Sequence, residues 1–460
     1  MSKNIIICAD STENSGGAGK VTNVWRLYEA LSLHDAEPKQ VAKHDDPVRA
    51  PSFGSLRLPG PGTGISLSEN LTELFHYLMR EFDEGDRIYL FGFGRGAYAV
   101  RILANILYFC GIADRRDDEG EVRSPKELIE LSKRAVVAHQ SRNWRDPDHP
   151  NFDAFRFRTK YGLRHKDAPK GELSDYEKNR RGRFPIEFLG VWDTVDPFGL
   201  PSDRMTRYCL RQLEKRTFIA WLLNLEKFFG HVLRRAGQSY KDGWEDDGSH
   251  IIDHRSAQDS DTGGSASRRT NTEPFIRRIC HAIAIDDEHY SFHPTLFLES
   301  PPGISRAGTS IEQVWFSGSH SNVGGGCLKD DLAYVSLNWM MYQASRAGLK
   351  FNAGTWQSYR LLSDSNGPLY DLRPETGRFY QYRPRDLSRL CQTAGIGNPT
   401  LHPSVLTRLK SHAQDHTPSG IPDEYKVALS PELAEAASLQ AGKECSVDGH
   451  EKANLVSRSE

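Results

Sequence analysis

The stretch that most constrains this 460-residue chain is Arg87-Ile-Tyr-Leu-Phe-Gly-Phe-Gly-Arg-Gly-Ala-Tyr-Ala-Val-Arg101. Ile88 to Phe93 is a short apolar run of β-forming residues. It meets Gly92, Gly94 and Gly96 and passes at once into a helix-forming segment, Arg95 to Cys110. The order is strand, sharp turn, helix, with no residues left over for a loose loop.

Upstream residues complete the unit. Ile5 to Cys8 is a fully apolar run, as expected of a buried parallel strand. It is followed by a polar glycine-rich loop from Asp10 to Lys20 and a helix from Asn23 to Leu31. Lys20 is followed by Val21, so Gly16 to Lys20 is not a phosphate-binding loop. Lys39 to Lys43 reads as a short strand and Pro47 to Gly64 as a loop. Ser66 to Glu69 has the spacing of a capping box, and Leu67, Leu71, Leu74, Phe75, Leu78 and Phe82 recur at helical spacing. That stripe is core, and its helix leads back to the Arg87 strand.

In a nucleophile elbow, G-x-S-x-G, flanking glycines let a tight turn close and the central serine points its hydroxyl out over the sheet. Here the pattern is Gly92-Phe93-Gly94-Arg95-Gly96: the scaffold is present and the hydroxyl is not. Gly92 to Arg101 resembles the GFSRGAxxxR block of the α/β-hydrolase family that contains the catalytic domain of type VI secretion phospholipase effectors (lipase effector family 1-like), formerly a domain of unknown function. Other blocks agree in order: Ile5 to Thr12, Phe188 to Val195, His281 to Asp286 with Phe292-His-Pro294, and Val314 to Gly326. The resemblance spans roughly residues 1 to 350. It implies a mostly parallel central sheet flanked by helices, with helical and loop insertions over the active face at about 114–183 and 203–272. Residues 351–460 are then an accessory segment, mixed and partly loop.

The remaining elements follow from the pattern. Pro185 to Val191 reads as strand with Asp193 just beyond it. Ile276 to Ile285 reads as helix, Thr295 to Leu298 as strand, Val314 to Phe316 as the last strand, ending at His320, and Leu332 to Ala344 as helix. Ser430 to Ala441 is one more candidate helix.

The resemblance assigns roles to positions. In α/β-hydrolases the triad runs nucleophile, acid, histidine along the chain, and Gly94, Asp193 and His320 have that order, each after a predicted strand. Asp193 would orient the imidazole and His320 would be the general base. Taken singly, Asp193 reads as a cap or turn residue and His320 as a hydrogen-bonded core histidine; in this order they read as a remnant dyad. Backbone N–H groups of Arg95 and of the loop around Asp10 and Ser11 would form the oxyanion hole, the family having glycine where Ser11 stands. Asn322, where many relatives carry aspartate, reads as tolerated variation.

With glycine at the elbow, covalent catalysis has no nucleophile. The expected function is that of a catalytically impaired or pseudo-hydrolase that retains Asp193 and His320 and binds a lipid or ester-like ligand. The alternative is an active carboxylic-ester or phospholipid hydrolase using water activated by His320. A third possibility is a serine esterase silenced by one base change. Ser11 and Cys8 are the nearest candidate substitutes in sequence, but Cys8 lies inside a strand and neither sits on an elbow.

Bulk properties bound the rest. Lys+Arg 59 against Asp+Glu 61 leaves a formal charge of -2, which argues against a nucleic-acid surface. Seven widely spaced cysteines with no C-x-x-C pair argue for reduced thiols. The apolar run near the start is too short for a signal peptide, and no stretch approaches a membrane span. The expected setting is cytoplasmic, with export, if any, by a dedicated machine, and no cofactor or metal is called for. His250, Asp253 and His254, and Asp146, Asp148 and His149, are weak metal candidates in polar segments.

Overall fold

The computed structural model describes residues 2–10, 21–34, 36–45, 64–117, 119–140, 153–163, 186–195, 276–288, 293–298, 309–369, 383–413, 418 and 420–428. Eight strands form one sheet: β1 (Asn4–Ala9), β2 (Gln40–Asp45), β3 (Arg87–Phe93), β4 (Ile186–Trp192), β5 (Ile276–Ala284), β6 (Ser310–Phe316), β7 (Thr400–Leu401) and β8 (Lys426–Val427). Their order is β2-β1-β3-β4-β5-β6-β7-β8, and each neighbouring pair is parallel. The protein therefore has an α/β fold built on a parallel sheet flanked by helices.

A parallel sheet covered on both faces needs strands that are apolar on both sides. Strand β1 shows this directly. Ile5 and Ile7 enter one core with Ile88, Leu90, Leu189 and Val191. Ile6 and Cys8 enter the opposite core with Tyr89, Phe91, Phe188 and Trp192. The first core is closed by α2 (Gly64–Glu81) and α3 (Arg95–Cys110), the second by α1 (Asn23–Glu29) and α7 (Asp331–Arg346). Helices α4 (Pro125–Gln140) and α5 (Asp153–Tyr161) pack against the α2 and α3 layer through Leu128, Leu131, Ala135 and Phe157.

Three sequence expectations are corrected. Ile276 to Ala284 is not a helix but β5, a central strand paired with both β4 and β6. A short apolar run containing alanines is ambiguous by period alone, and the two waiting ladders decide it. Thr295 to Leu298 is extended but joins no ladder: the Gln313 side chain accepts from Phe297 N–H and donates to Phe297 O, both at 2.8 Å. The chain also adds β7 and β8 beyond β6, which the sequence reading took as the last strand. The loop of residues 47–63, the second insertion and the candidate helix of residues 430–441 lie outside the described residues.

The turn between β3 and α3 is where glycine is obligatory. A Cβ on Gly92 would sit 2.6 Å from Ala97 N, and one on Gly96 would collide with the carbonyl oxygen of Ala9 at the end of β1. These are backbone obstacles, which cannot swing aside. The Gly96→Ala variant is therefore expected to lose about 1–3 kcal/mol or more of stability. Gly397→Ala, where a Cβ meets nothing within 4 Å, is expected to be neutral or slightly stabilising. Urea unfolding of the two variants side by side checks the contrast.

Candidate functional site

The C-terminal ends of β3, β4, β5 and β6 converge on one set of polar groups. Gly94 follows β3 with φ 54° and ψ -113°, a left-handed backbone that glycine adopts without strain. Its N–H donates to Trp192 O (3.1 Å) and its carbonyl accepts from Val195 N–H (3.4 Å). The elbow is thus laced to the chain on either side of Asp193.

Asp193 is fully buried and itself has a positive φ of 36°, an uncommon conformation for a residue with a side chain. Its N–H donates to Ala282 O at 2.8 Å. Four donors serve the carboxylate. Ala284 N–H (3.1 Å) and Arg385 Nη1 (2.7 Å) reach Oδ1, while Arg385 Nη2 (2.9 Å) and His320 Nδ1 (2.6 Å) reach Oδ2. Burial alone would raise this carboxyl; the Arg385 charge, with the His320 and Arg385 hydrogen bonds, outweighs burial and holds it well below the usual carboxylate range. An ionised carboxylate can only accept, so the proton between the two lies on Nδ1.

His320 is not at a strand end, as the sequence reading had it, but opens the five-residue helix α6 (His320–Gly324), capped by Ser319. Three contacts aim it. The His320 N–H donates to Asp287 Oδ2 (2.9 Å), the Gly318 N–H donates to Asp286 Oδ2 (2.6 Å), and the ring stacks on Phe93 with centroids 4.4 Å apart. Asn322 has a task in this turn: its Oδ1 accepts from the Ser319 N–H (3.2 Å) and hydroxyl (2.9 Å). Behind the turn, Arg26 of α1 pairs with Asp330 at 2.6 Å and lies over the Tyr334 ring.

The structure brings Gly94, Asp193 and His320 together and sets Arg95 at the first turn of α3, the positive end of its dipole. Asp10 is close, its carbonyl flanking Gly96, but its N–H points at Asp45 O (3.4 Å) and its carboxylate accepts from the Thr22 hydroxyl (2.6 Å). Ser11 lies outside the described residues, as do Asp146, Asp148, His149, His250, Asp253 and His254. The Cys8 thiol is buried in β1, and burial followed by the Asp10 charge pushes it far up, which makes it a poor nucleophile.

Sequence reasoning missed Arg385, Asp286 and Asp287. Reading 276–285 as helix hid the acidic pair that follows β5. Arg385 stands in a weakly patterned stretch, Arg383-Pro-Arg-Asp386, with no local signal of its partner. Arg101, the arginine of the GFSRGAxxxR-like block, is buried under the site. It donates to Thr295 O (2.5 Å) and lies over the Phe297 ring, while Thr295 N–H bonds Thr194 O (2.9 Å).

A family profile for the catalytic domain of Tle1-like phospholipase effectors of the type VI secretion system matches residues 3–343. An uncharacterized protein of Saccharomyces cerevisiae is 24% identical, the match covering 80% of this chain and 60% of the yeast protein. A solved structure, titled an uncharacterized protein from Pseudomonas aeruginosa, aligns at 14% identity with a TM-score of 0.33, over 79% of this chain and 49% of that one. This chain thus spans less than two thirds of either protein. Among the described residues no helix is long and apolar enough to cross a membrane, and no group of three His, Cys, Asp or Glu is placed to hold a metal.

Replacing Asp193 by Asn would leave the Arg385 guanidinium buried without its counter-ion, at an expected cost of about 3–5 kcal/mol. The His320→Ala change, which leaves that ion pair in place, is expected to cost on the order of 1–2 kcal/mol. Chemical denaturation of both variants tests the order. The pH dependence has a worked sign. His281, beside Thr194, is fully buried, and burial first, then Arg101, lowers its imidazole to about 3. Unfolded, it titrates near about 6.5. Between those values the unfolded chain carries a proton the native one lacks, so stability falls as pH drops, by about 1.4 kcal/mol per pH unit. Above that window His281 contributes no slope. His281→Gln is expected to remove one proton's worth of slope from a urea–pH series.

Proposed function

Because this chain belongs to the family of Tle1-like type VI secretion phospholipase effector catalytic domains, we propose that it is a hydrolase-derived protein whose covalent chemistry is blocked at one position. In this reading Asp193 orients His320, His320 is the residual general base, and position 94 is the nucleophile site left without a hydroxyl. Arg95 N–H, with the loop at Asp10 and Ser11, is the oxyanion contact. The ligand is a lipid or ester-like molecule bound over the elbow. Residues 1–350 form the α/β unit, and residues 351–460 serve it as an accessory segment that adds β7, β8 and Arg385.

The observation that carries this reading is the 2.6 Å Asp193–His320 bond beside an elbow backbone of φ 54° at Gly94. A dyad kept in working geometry next to a missing nucleophile suits a site silenced at one residue. In a model triad enzyme, loss of the serine lowers turnover by about a million-fold and leaves a residual of about 10³–10⁴ over water.

The same dyad favours a second reading, in which His320 activates a water held over Gly94 and the protein is a slow ester or phospholipid hydrolase. Glycine leaves room there, and a neutral imidazole with its proton on Nδ1 can accept one from water.

The deciving comparison is hydrolysis of a short-chain nitrophenyl ester and a fluorescent phospholipid by the unaltered chain, Gly94→Ser and His320→Ala. The silenced-site reading expects turnover in Gly94→Ser alone, and labelling of that variant, not of the unaltered chain, by a fluorophosphonate probe. The water reading expects measurable turnover in the unaltered chain that His320→Ala abolishes. Inactivity of all three overturns both.

A further inference from the structure

We propose that Arg385 is a positioning residue of this site. Its guanidinium fork fixes the plane of the Asp193 carboxylate, and through it the orientation and tautomer of the His320 ring. The dyad supplied by the family-matched stretch, residues 3–343, is thereby completed by a residue that lies beyond it. This inference rests on the reading of Asp193 and His320 as the working pair.

The geometry is a closed set of contacts. Arg385 Nη1 bonds Asp193 Oδ1 at 2.7 Å and also the Ala284 carbonyl at 2.6 Å, while Ala284 N–H bonds the same Oδ1 at 3.1 Å. Arg385 Nη2 bonds Oδ2 at 2.9 Å, beside the 2.6 Å bond from His320 Nδ1. Neither the Arg385 nor the Asp193 side chain has exposed surface. Two parallel bonds from one planar guanidinium define a plane, whereas a single donor lets a carboxylate turn about its last torsion. Turning it would swing Oδ2 off the Nδ1 direction, so the fork holds the acceptor where the imidazole needs it.

Arg385 is itself placed rigidly. Arg383 N–H bonds Glu288 O (2.6 Å), just past the acidic pair that follows β5. Asp386 caps helix α8 (Leu387–Thr393), accepting from Arg389 N–H at 3.0 Å. Leu387 and Leu390 of that helix pack with Ile283, Ile285 and Trp315, and Leu401 of β7 pairs with Trp315 of β6. The C-terminal segment is thus anchored to the strands that lead into the site. A counter-ion serving stability alone would need only charge; a positioning residue needs the fork.

The experiment is NMR of the full chain with its native Gly94, isotope-labelled at histidine and arginine, unaltered and as Arg385→Lys and Arg385→Gln, with His320→Ala for assignment. The unaltered chain is expected to show a far-downfield, slowly exchanging His320 Nδ1 proton and separately resolved Arg385 Nη protons. In Arg385→Lys, which keeps the charge and loses the fork, exchange of the Nδ1 proton is expected to quicken, and to quicken further in Arg385→Gln. An unchanged Nδ1 signal in either folded variant overturns the proposal. So do averaged Arg385 Nη signals in the unaltered chain, a result available even if neither variant folds. Where Gly94→Ser turns over, adding Arg385→Lys is expected to lower kcat about 10–100-fold with KM unchanged. Where Gly94→Ser is silent, the NMR signatures still decide, so failure of the catalytic reading and failure of this one are told apart.

Discussion

A carboxylate with no exposed surface is the constraint on which this end of the molecule depends. Removing an ion from water costs several kcal/mol, and the cost is met only when charge and lone pairs are both answered. Asp193 is answered by a guanidinium, an imidazole and one backbone amide. Those donors come from β5, α6 and the C-terminal segment, so three stretches distant in sequence have to arrive before the aspartate at the end of β4 can be buried. The site and the sheet edge beyond β6 are therefore one construction.

The elbow obeys a different constraint, and that separates the two halves of the site. Its shape is a property of backbone packing: Gly92 and Gly96 are required because Ala97 and Ala9 stand where their side chains would go. Residue 94 contributes only its torsion angles, which glycine reaches more easily than serine. Neither the turn nor the Asp193–His320 contact therefore requires a side chain at residue 94. Chemistry and architecture can part company at this position, and the family to which the chain belongs does not by itself say which of them survives.

Much of this was legible in advance. The alternation-free apolar strands and the glycine turn are local signals, and the order of Gly94, Asp193 and His320 along the chain is a sequential one; His320 alone stands on a helix rather than at a strand end. The misreadings have a common physical origin. Residues 276–284 became a strand because β4 and β6 offered ladders on both sides. Thr295 to Leu298 became a tether because the Gln313 and Arg101 side chains and the Thr194 carbonyl took up its backbone groups. In both, the partner decided the outcome, and the partner was far away in the chain. Asn322, read as tolerated variation, holds the turn on which His320 stands.

What the sequence determined by itself was the class of fold and the strand–turn–helix with glycine at residue 94, because hydrophobic period, glycine placement and motif order are written in neighbouring residues. Only the tertiary structure decided that Asp193 is a buried, ionised carboxylate and that Arg385 is what keeps it so. Nothing near residue 385 announces a partner 192 positions earlier. Long-range charge pairing is settled by packing, which brings the two side chains to the same dry place.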